Sequence, residues 1–325
     1  MRAGPEKLHS MASSVILENL VKTYNGGEVL AVDDVSFEVK DGELFGLIGP
    51  DGAGKTSIFR ILTTLLLADK GTARVAEYDV VKDYRAIRNC VGYMPGRFSL
   101  YQDLTIQENL EFFATVFGTT IQANYDLIKD IYEQIKPFGH RRAGKLSGGM
   151  KQKLALCCAL IHKPRVLLLD EPTTGVDVVS RKEFWDMLKR LKQQGITILV
   201  STPYMDEANR CERIALIQKG RILSVDTPQQ IIDAFPKTLY AVRSADIYRL
   251  LQDVRQMEEV ESCYTFGEFL HVTFRDDRPD AAGRLKDYVA KKGHTDVVAE
   301  KTAPGIEDSF IRLTNEHPEI QEKVS

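Results

Sequence analysis

The chain has 325 residues, enough for about two domains at roughly 150 residues each, one of them large enough to bury a full core. Hydrophobic residues make up 43% and charged residues 27%, the mixture of a folded, water-soluble chain, which excludes a disordered or collagen-like polymer. Lysine and arginine number 43 against 46 acidic residues, a net charge of -3, so no basic field points to nucleic acid as a partner.

The longest apolar runs, such as residues 155–161, fall far short of the roughly 18 residues a membrane span needs. The first thirteen residues carry Arg2, Lys7 and His9 without an apolar segment of signal-peptide type, so the expected compartment is the cytosol. Cys90, Cys157, Cys158, Cys211 and Cys263 are odd in number and lack C-x-x-C spacing, which suits reduced, mostly buried thiols. The six histidines form no ligand pattern, and a structural zinc site is not expected.

In chain order, residues 15–18 and 30–39 are β-rich and flank the turn Asn25-Gly26-Gly27, which predicts an antiparallel hairpin. Residues 44–48 form a short apolar strand, a glycine-rich turn follows, and 57–67 has helical spacing. Residues 91–94 predict another strand, and 106–117 and 125–135 predict amphipathic helices, so the middle of the chain reads as a helical insertion over about 100–160. A helix from Gly148 to about Ile161 stops at His162-Lys163-Pro164, and 166–169 is a continuous apolar strand of the kind buried on both faces. A helix over 181–194, a buried strand over 196–200, the start of a helix at 205–209 and a hairpin of 214–218 with 222–225 complete an α/β parallel-sheet domain over 14–235. Beyond Phe235-Pro236, strands at 239–242, 269–274 and 296–299 and helices at 245–254 and 281–291 predict a small α+β domain over 238–325.

Gly49-Pro50-Asp51-Gly52-Ala53-Gly54-Lys55-Thr56 fits G-x-x-x-x-G-K-[ST] between a predicted strand and a predicted helix, the context a phosphate cradle requires. The glycines let backbone N–H groups approach phosphates and the helix start adds its positive dipole end. Lys55 then reaches the outer phosphates, and the Thr56 oxygen faces Mg²⁺, with Ser57 next on the helix. The apolar run 166–169 delivers Asp170 and Glu171 at a strand end, where Asp170 suits the Mg²⁺ shell and Glu171 the polarisation of an attacking water.

Leu146-Ser147-Gly148-Gly149-Met150 precedes a helix and, read alone, is a glycine-rich cap. Placed ahead of the Asp170-Glu171 strand end, it makes the chain resemble the ATP-binding subunit of an ATP-binding cassette (ABC) transporter, whose signature L-S-G-G-Q it follows except at Met150. The resemblance covers about residues 14–235 and implies a P-loop NTPase fold with an antiparallel β subdomain and a helical insertion. Tyr24 matches the aromatic that stacks on adenine, and Asp177, in Gly175-Val176-Asp177, matches the D-loop at the dimer interface. Family members pack two such domains head to tail, which would bring Ser147 and its helix N-terminus to the partner's ATP.

Two positions depart from the family pattern. Gly96 stands where a glutamine usually touches Mg²⁺ and the nucleophilic water, and Pro203, in the segment 201–208, stands where a histidine usually contacts the γ-phosphate. Both fall in the site on this chain's own P-loop, which implies slow hydrolysis there unless Ser201, Thr202, Arg97 or Gln102 compensates. A heterodimer whose partner site hydrolyses would suit that asymmetry.

The run 94–110 and the tail 304–313 are similar to ABC-2 type exporters, including drug and multidrug exporters. The resemblance therefore implies a cytoplasmic subunit, peripheral at the inner face of the membrane, that binds ATP and Mg²⁺. It would pair with a second nucleotide-binding domain and drive an integral-membrane permease, docking through the segment 98–110, while the C-terminal domain assists or regulates dimer contact. A soluble ABC-type ATPase and a regulatory ATP-binding protein, each without a permease, are the alternatives.

Overall fold

A computed structural model describes residues 12–276 and 280–317. Most of the amino-terminal stretch read above, and residues 318–325 of the expected C-terminal domain, lie outside the described residues. Two compact units divide the described chain: residues 229–312 form one and the remainder the other, so the division falls seven residues ahead of the composition change at Phe235.

The first unit opens with β1 (Ser13–Tyr24), a turn at Asn25–Gly27, β2 (Val29–Lys40) and β3 (Leu44–Ile48). It continues through α1 (Lys55–Leu62), β4 (Lys70–Val75), β5 (Tyr78–Asp79), α2 (Tyr84–Cys90) and β6 (Val91–Met94). The helical insertion is α3 (Ile106–Val116), α4 (Tyr125–Ile135) and α5 (Gly148–Leu160). After it come β7 (Val166–Asp170), α6 (Val178–Gln193), β8 (Thr197–Thr202), β9 (Arg213–Gln218) and β10 (Arg221–Asp226). β1 and β2 pair antiparallel and join β4 and β5 in a sheet of order β2-β1-β4-β5. A second sheet runs β10-β9-β3-β8-β7-β6, with β6, β7, β8, β3 and β9 parallel and β10 turning back on β9.

The predicted apolar runs are buried because this second sheet is covered on both sides: every residue of β3, β7 and β8 is buried. α1 lies in the core shared by the two sheets, where Phe37 of β2 stacks on Phe45 of β3 with centroids 5.4 Å apart. Its Ile58, Phe59, Ile61 and Leu62 are fully buried, each worth about 2 kcal/mol of transfer free energy. Three expected elements change extent for local reasons. α1 stops at Leu62, not residue 67, because the Thr63 hydroxyl folds back on the Phe59 carbonyl at 2.8 Å and Thr64 turns left-handed (φ 62). Residues 205–210 form a 3₁₀ helix, closed by Glu207 N–H to the Tyr204 carbonyl and Cys211 N–H to the Ala208 carbonyl. In the second unit the last strand starts at Val298 because Asp296 is left-handed at φ 55.

That second unit holds the end of α7 (Pro228–Asp233), β11 (Leu239–Arg243), α8 (Ile247–Arg255), β12 (Val260–Phe266), β13 (Phe269–Phe274), α9 (Ala281–Lys291), β14 (Val298–Thr302) and most of α10 (Ile306–Glu316). Its four strands are all antiparallel in the order β12-β13-β11-β14, and β11 to β14 follow the β-α-β-β-α-β arrangement of a split βαβ motif. Leu250 and Val254 of α8 and Leu285 and Val289 of α9 pack on Val242, Leu270 and Val272. Ser244, His294 and Asp253 are hydrogen-bonded in a row, but His294 is 2% exposed and the Ser244 hydroxyl also reaches the Asp246 carbonyl, so the row ties α8 to the end of α9.

Cys157, Cys158, Cys211 and Cys263 are buried thiols and Cys90 is half-buried. No helix among the described residues is long and apolar enough to cross a membrane.

One buried and one half-buried polar side chain anchor the helical insertion. Asn109 of α3, fully buried, accepts the Tyr101 N–H at 3.1 Å and donates to the carbonyls of Tyr101 and Thr105 at 3.0 and 2.9 Å, holding the loop against the helix it precedes. The His162 ring stacks on Phe117 with centroids 3.9 Å apart, and its Nε2 lies 3.1 Å from the Val91 carbonyl. Asn109→Leu strands the Tyr101 N–H and should cost about 2 kcal/mol in urea denaturation. Burial, opposed by the bond to Val91, lowers the His162 pKa from 6.5. The unfolded chain therefore binds the extra proton first. Its stabilising contribution is complete above about pH 6.5 and is lost as pH falls toward the folded pKa, so His162→Phe should flatten the dependence of melting temperature on pH between 7 and 5.

Candidate functional site

β3 ends at Ile48 and the chain turns at once into the loop 49–54, whose shape requires glycine at two close approaches. A Cβ on Gly49 would lie 2.2 Å from the Ile217 carbonyl oxygen, and one on Gly54, at φ 101, 2.2 Å from that of Ala31. The loop closes through Ala53 N–H to the Pro50 carbonyl at 3.2 Å and is tied to β8 by Gly49 N–H to the Thr202 carbonyl at 3.2 Å. Asp51 and Gly52 are exposed at its tip. Lys55, the first residue of α1, is only 3% exposed. Its ammonium donates to the carbonyls of Gly49 (2.7 Å) and Pro50 (2.9 Å) and pairs with Glu171 at 3.1 Å. Ala31, Gly52, Ala53, Gly54, Lys55, Thr56, Ser57 and Glu171 line a depression of about 150 Å³. Tyr24, at the end of β1, reaches the same place: its hydroxyl is 3.0 Å from that of Ser57, and the Lys22 ammonium stands 5.8 Å from its ring centre.

β7 delivers Asp170, 2% exposed, and then Glu171, whose backbone is left-handed at φ 50. That conformation is costly for a residue with a Cβ and is held by Ser201 of β8. The Glu171 N–H donates to the Ser201 carbonyl (3.1 Å) and hydroxyl (2.9 Å), while that hydroxyl donates to Asp170 at 2.6 Å. Gly96 lies against the acidic pair, where a Cβ would stand 3.1 Å from the Asp170 carbonyl oxygen and 3.7 Å from the Glu171 Cβ. Pro203 follows directly on Thr202, which turns its hydroxyl to Glu207 at 2.5 Å and accepts the Tyr204 N–H at 3.1 Å. Of the four residues expected to compensate, Ser201 alone is placed at the acidic pair by these bonds. Arg97 is exposed, and the Gln102 carbonyl accepts the Gly144 N–H at 2.9 Å.

The signature forms a second cluster. Leu146 is buried, and Ser147 caps α5 by accepting the Met150 N–H at 3.4 Å. Gly149 packs so closely on α6 that a Cβ would lie 2.9 Å from the Ser180 hydroxyl, and one on Gly148 would lie 3.7 Å from the Gly175 carbonyl oxygen. Asp177 caps α6, accepting the N–H groups of Val179 (3.1 Å) and Ser180 (3.0 Å), bonds that lower its pKa. Two helix N-termini thus lie side by side, and Val178 and Val179 next to them are 78% and 69% exposed. Residues 146–150 line no part of the depression at Lys55.

An apolar cleft of about 640 Å³ opens between the insertion and the sheet, with Leu65, Met94, Phe113, Val116 and Ala155 in its walls. Of the expected docking segment 98–110, Ser99 and Leu100 line it. Ile106, Asn109 and Leu110 are instead buried in the insertion. Sequence reasoning missed Glu207, 3% exposed, which binds Thr173, Thr202 and Arg181. The second of two acidic residues in a Met-Asp-Glu-Ala run carries no signal of burial.

A family model described as ABC transporter matches residues 32–174. The probable multidrug ABC transporter ATP-binding protein YbhF of Escherichia coli (strain K12) is 36% identical over 303 residues, covering 92% of this chain and 52% of that protein, so the chain spans about half its length. The Nod factor export ATP-binding protein I of Burkholderia lata is 36% identical over 295 residues, covering 89% of this chain and 93% of that one. The dimeric ATP-binding cassette MJ0796, solved in a post-hydrolysis state with ADP and Pi, is similar over 66% of this chain and 98% of its own, with a TM-score of 0.59 and 25% identity. With a relative of this identity covered nearly from end to end, the chain belongs to the ATP-binding proteins of ABC transporters.

Proposed function

We propose that this chain is the ATP-binding subunit of an export system, coupling ATP binding and hydrolysis to a separate membrane permease. The observation that carries the proposal is the meeting of Lys55, Asp170 and Glu171 at one end of three parallel strands, beside a glycine loop that opens a helix. The loop N–H groups and Lys55 bind the phosphates, and Tyr24 offers its ring to the base. The oxygen donors of Thr56 and Asp170 suit a hard divalent cation such as Mg²⁺, which when bound would neutralise phosphate charge. Glu171 holds the carboxylate that accepts a proton from water, and Ser201 fixes its backbone.

The two capped helix starts at Ser147 and Asp177, with Val178 and Val179 exposed beside them, support a second nucleotide-binding domain as partner. There the Ser147 cap faces the partner's nucleotide. The apolar cleft supports a permease element as its occupant, with Leu65 and Val116, each 61% exposed, at its walls. The names of the relatives, a probable multidrug transporter protein and a Nod factor export protein, favour an exported cargo, and the chain would work at the inner face of the membrane. Residues from 238 on assist or regulate dimer contact. Gly96 and Pro203 leave Glu171 without two side chains that commonly position water and phosphate, which makes this chain's own site the slow one of a pair.

Lys55→Ala should abolish ATP binding measured by calorimetry, and an unchanged affinity would overturn the nucleotide reading. The isolated chain should turn over ATP slowly. Gly96→Gln combined with Pro203→His should raise that rate about tenfold once the Asp170 carbonyl yields the few tenths of an ångström a Cβ needs. Brisk turnover by the unmodified chain that disappears in Glu171→Gln would show instead that its own site is complete.

A further inference from the structure

The buried carboxylate of Glu207 is not used by the reading above, yet it has three side-chain partners close to the acidic pair. One oxygen accepts the hydroxyls of Thr202 (2.5 Å) and Thr173 (3.1 Å), and the other accepts Arg181 Nε at 3.1 Å. Thr173 and Thr202 are at most 1% exposed. The Arg181 guanidinium also lies 4.3 Å over the Tyr204 ring and 3.3 Å from Asp206. Each partner belongs to a different part of the site. Thr202 adjoins Ser201, which holds Asp170 and Glu171. Thr173 sits in the turn after that pair, and Arg181 is in the first turn of α6, its N–H on the Asp177 carbonyl at 2.9 Å. A charge so placed is stable only with all its partners, because removing one leaves the others buried and uncompensated.

We propose that Glu207 is a positioning residue that locks the segment 201–204, the turn 171–177 and the start of α6 into one unit. The placement of Asp170 and Glu171 then follows the dimer-facing end of α6. In this chain the lock matters more than usual, because Pro203 offers no side-chain donor of its own to hold the segment in place. The inference rests on the ATPase reading for its catalytic consequence, but not for the coupling itself.

The test uses the full chain with Glu207→Gln, which keeps the shape and removes the charge that Arg181 pairs with, and Thr202→Val, which removes one hydroxyl. Amide hydrogen exchange without nucleotide should accelerate about tenfold in both 170–178 and 201–208 in the first variant, and less in the second. At saturating ATP, kcat should fall about tenfold in Glu207→Gln while KM and the calorimetric affinity for ATP stay within about twofold, a split that a general loss of folding would not give. Faster exchange confined to 201–208, or an unchanged kcat in an active chain, would overturn the proposal. If the unmodified chain neither binds nor hydrolyses ATP, the ATPase reading fails, and the exchange of 170–178 still decides the coupling.

Discussion

The site depends on the parallel register of β3, β8 and β7. Ile48 pairs with Thr202 and Asp170 with Ser201, so the glycine loop, the acidic pair and the segment before Pro203 all leave the sheet at one edge. Parallel strands share the direction of their ends, and a one-residue slip in β7 would turn Asp170 to the opposite face of the sheet. The register is secured by burial on both faces, since no residue in any of these three strands can move into water without losing its packing. The hydrogen bonds at that end of the strands merely refine what the sheet has already placed.

How much of this was legible follows from what kind of force shapes each part. The uninterrupted apolar runs 44–48 and 166–169 and the glycine spacing from Gly49 to Gly54 write their structure into local sequence, and those elements appear where expected. β12 was missed although only Gly267 and Glu268 separate it from β13. Its sequence Val-Glu-Ser-Cys-Tyr-Thr-Phe alternates too weakly in polarity to announce a strand, and its partner decides the matter. β4 and β5 likewise have few buried residues: β4 is held by pairing with β1, and β5, at the edge of the sheet, by pairing with β4. In the site, motif spacing singled out the glycine loop, Lys55, Asp170 and Glu171, which the fold brings to one end of the sheet. It could not show that Ser201 bridges the acidic pair or that Thr202 is turned away to Glu207, because those bonds join strands and turns about thirty residues apart or follow from a 3₁₀ turn.

The two unusual positions also read differently with the fold in hand. Gly96 is not an empty place in the site: a Cβ there would stand 3.1 Å from the Asp170 carbonyl oxygen, so a side chain needs that carbonyl to give by a few tenths of an ångström. Pro203, with its fixed φ and no N–H, stiffens the exit from β8 at the point where Ser201 must hold Glu171 in a left-handed conformation.

Lys55 donates to two loop carbonyls, and its ammonium also stands 3.1 Å from the Glu171 carboxylate as an ion pair. A phosphate approaching this lysine would compete with these three partners. The carbonyls belong to the loop that shapes the site, whereas the Glu171 side chain is 22% exposed and can swing away. On the proposed reading, arrival of the anion would also free the Glu171 carboxylate, which the Lys55 ammonium otherwise holds at 3.1 Å.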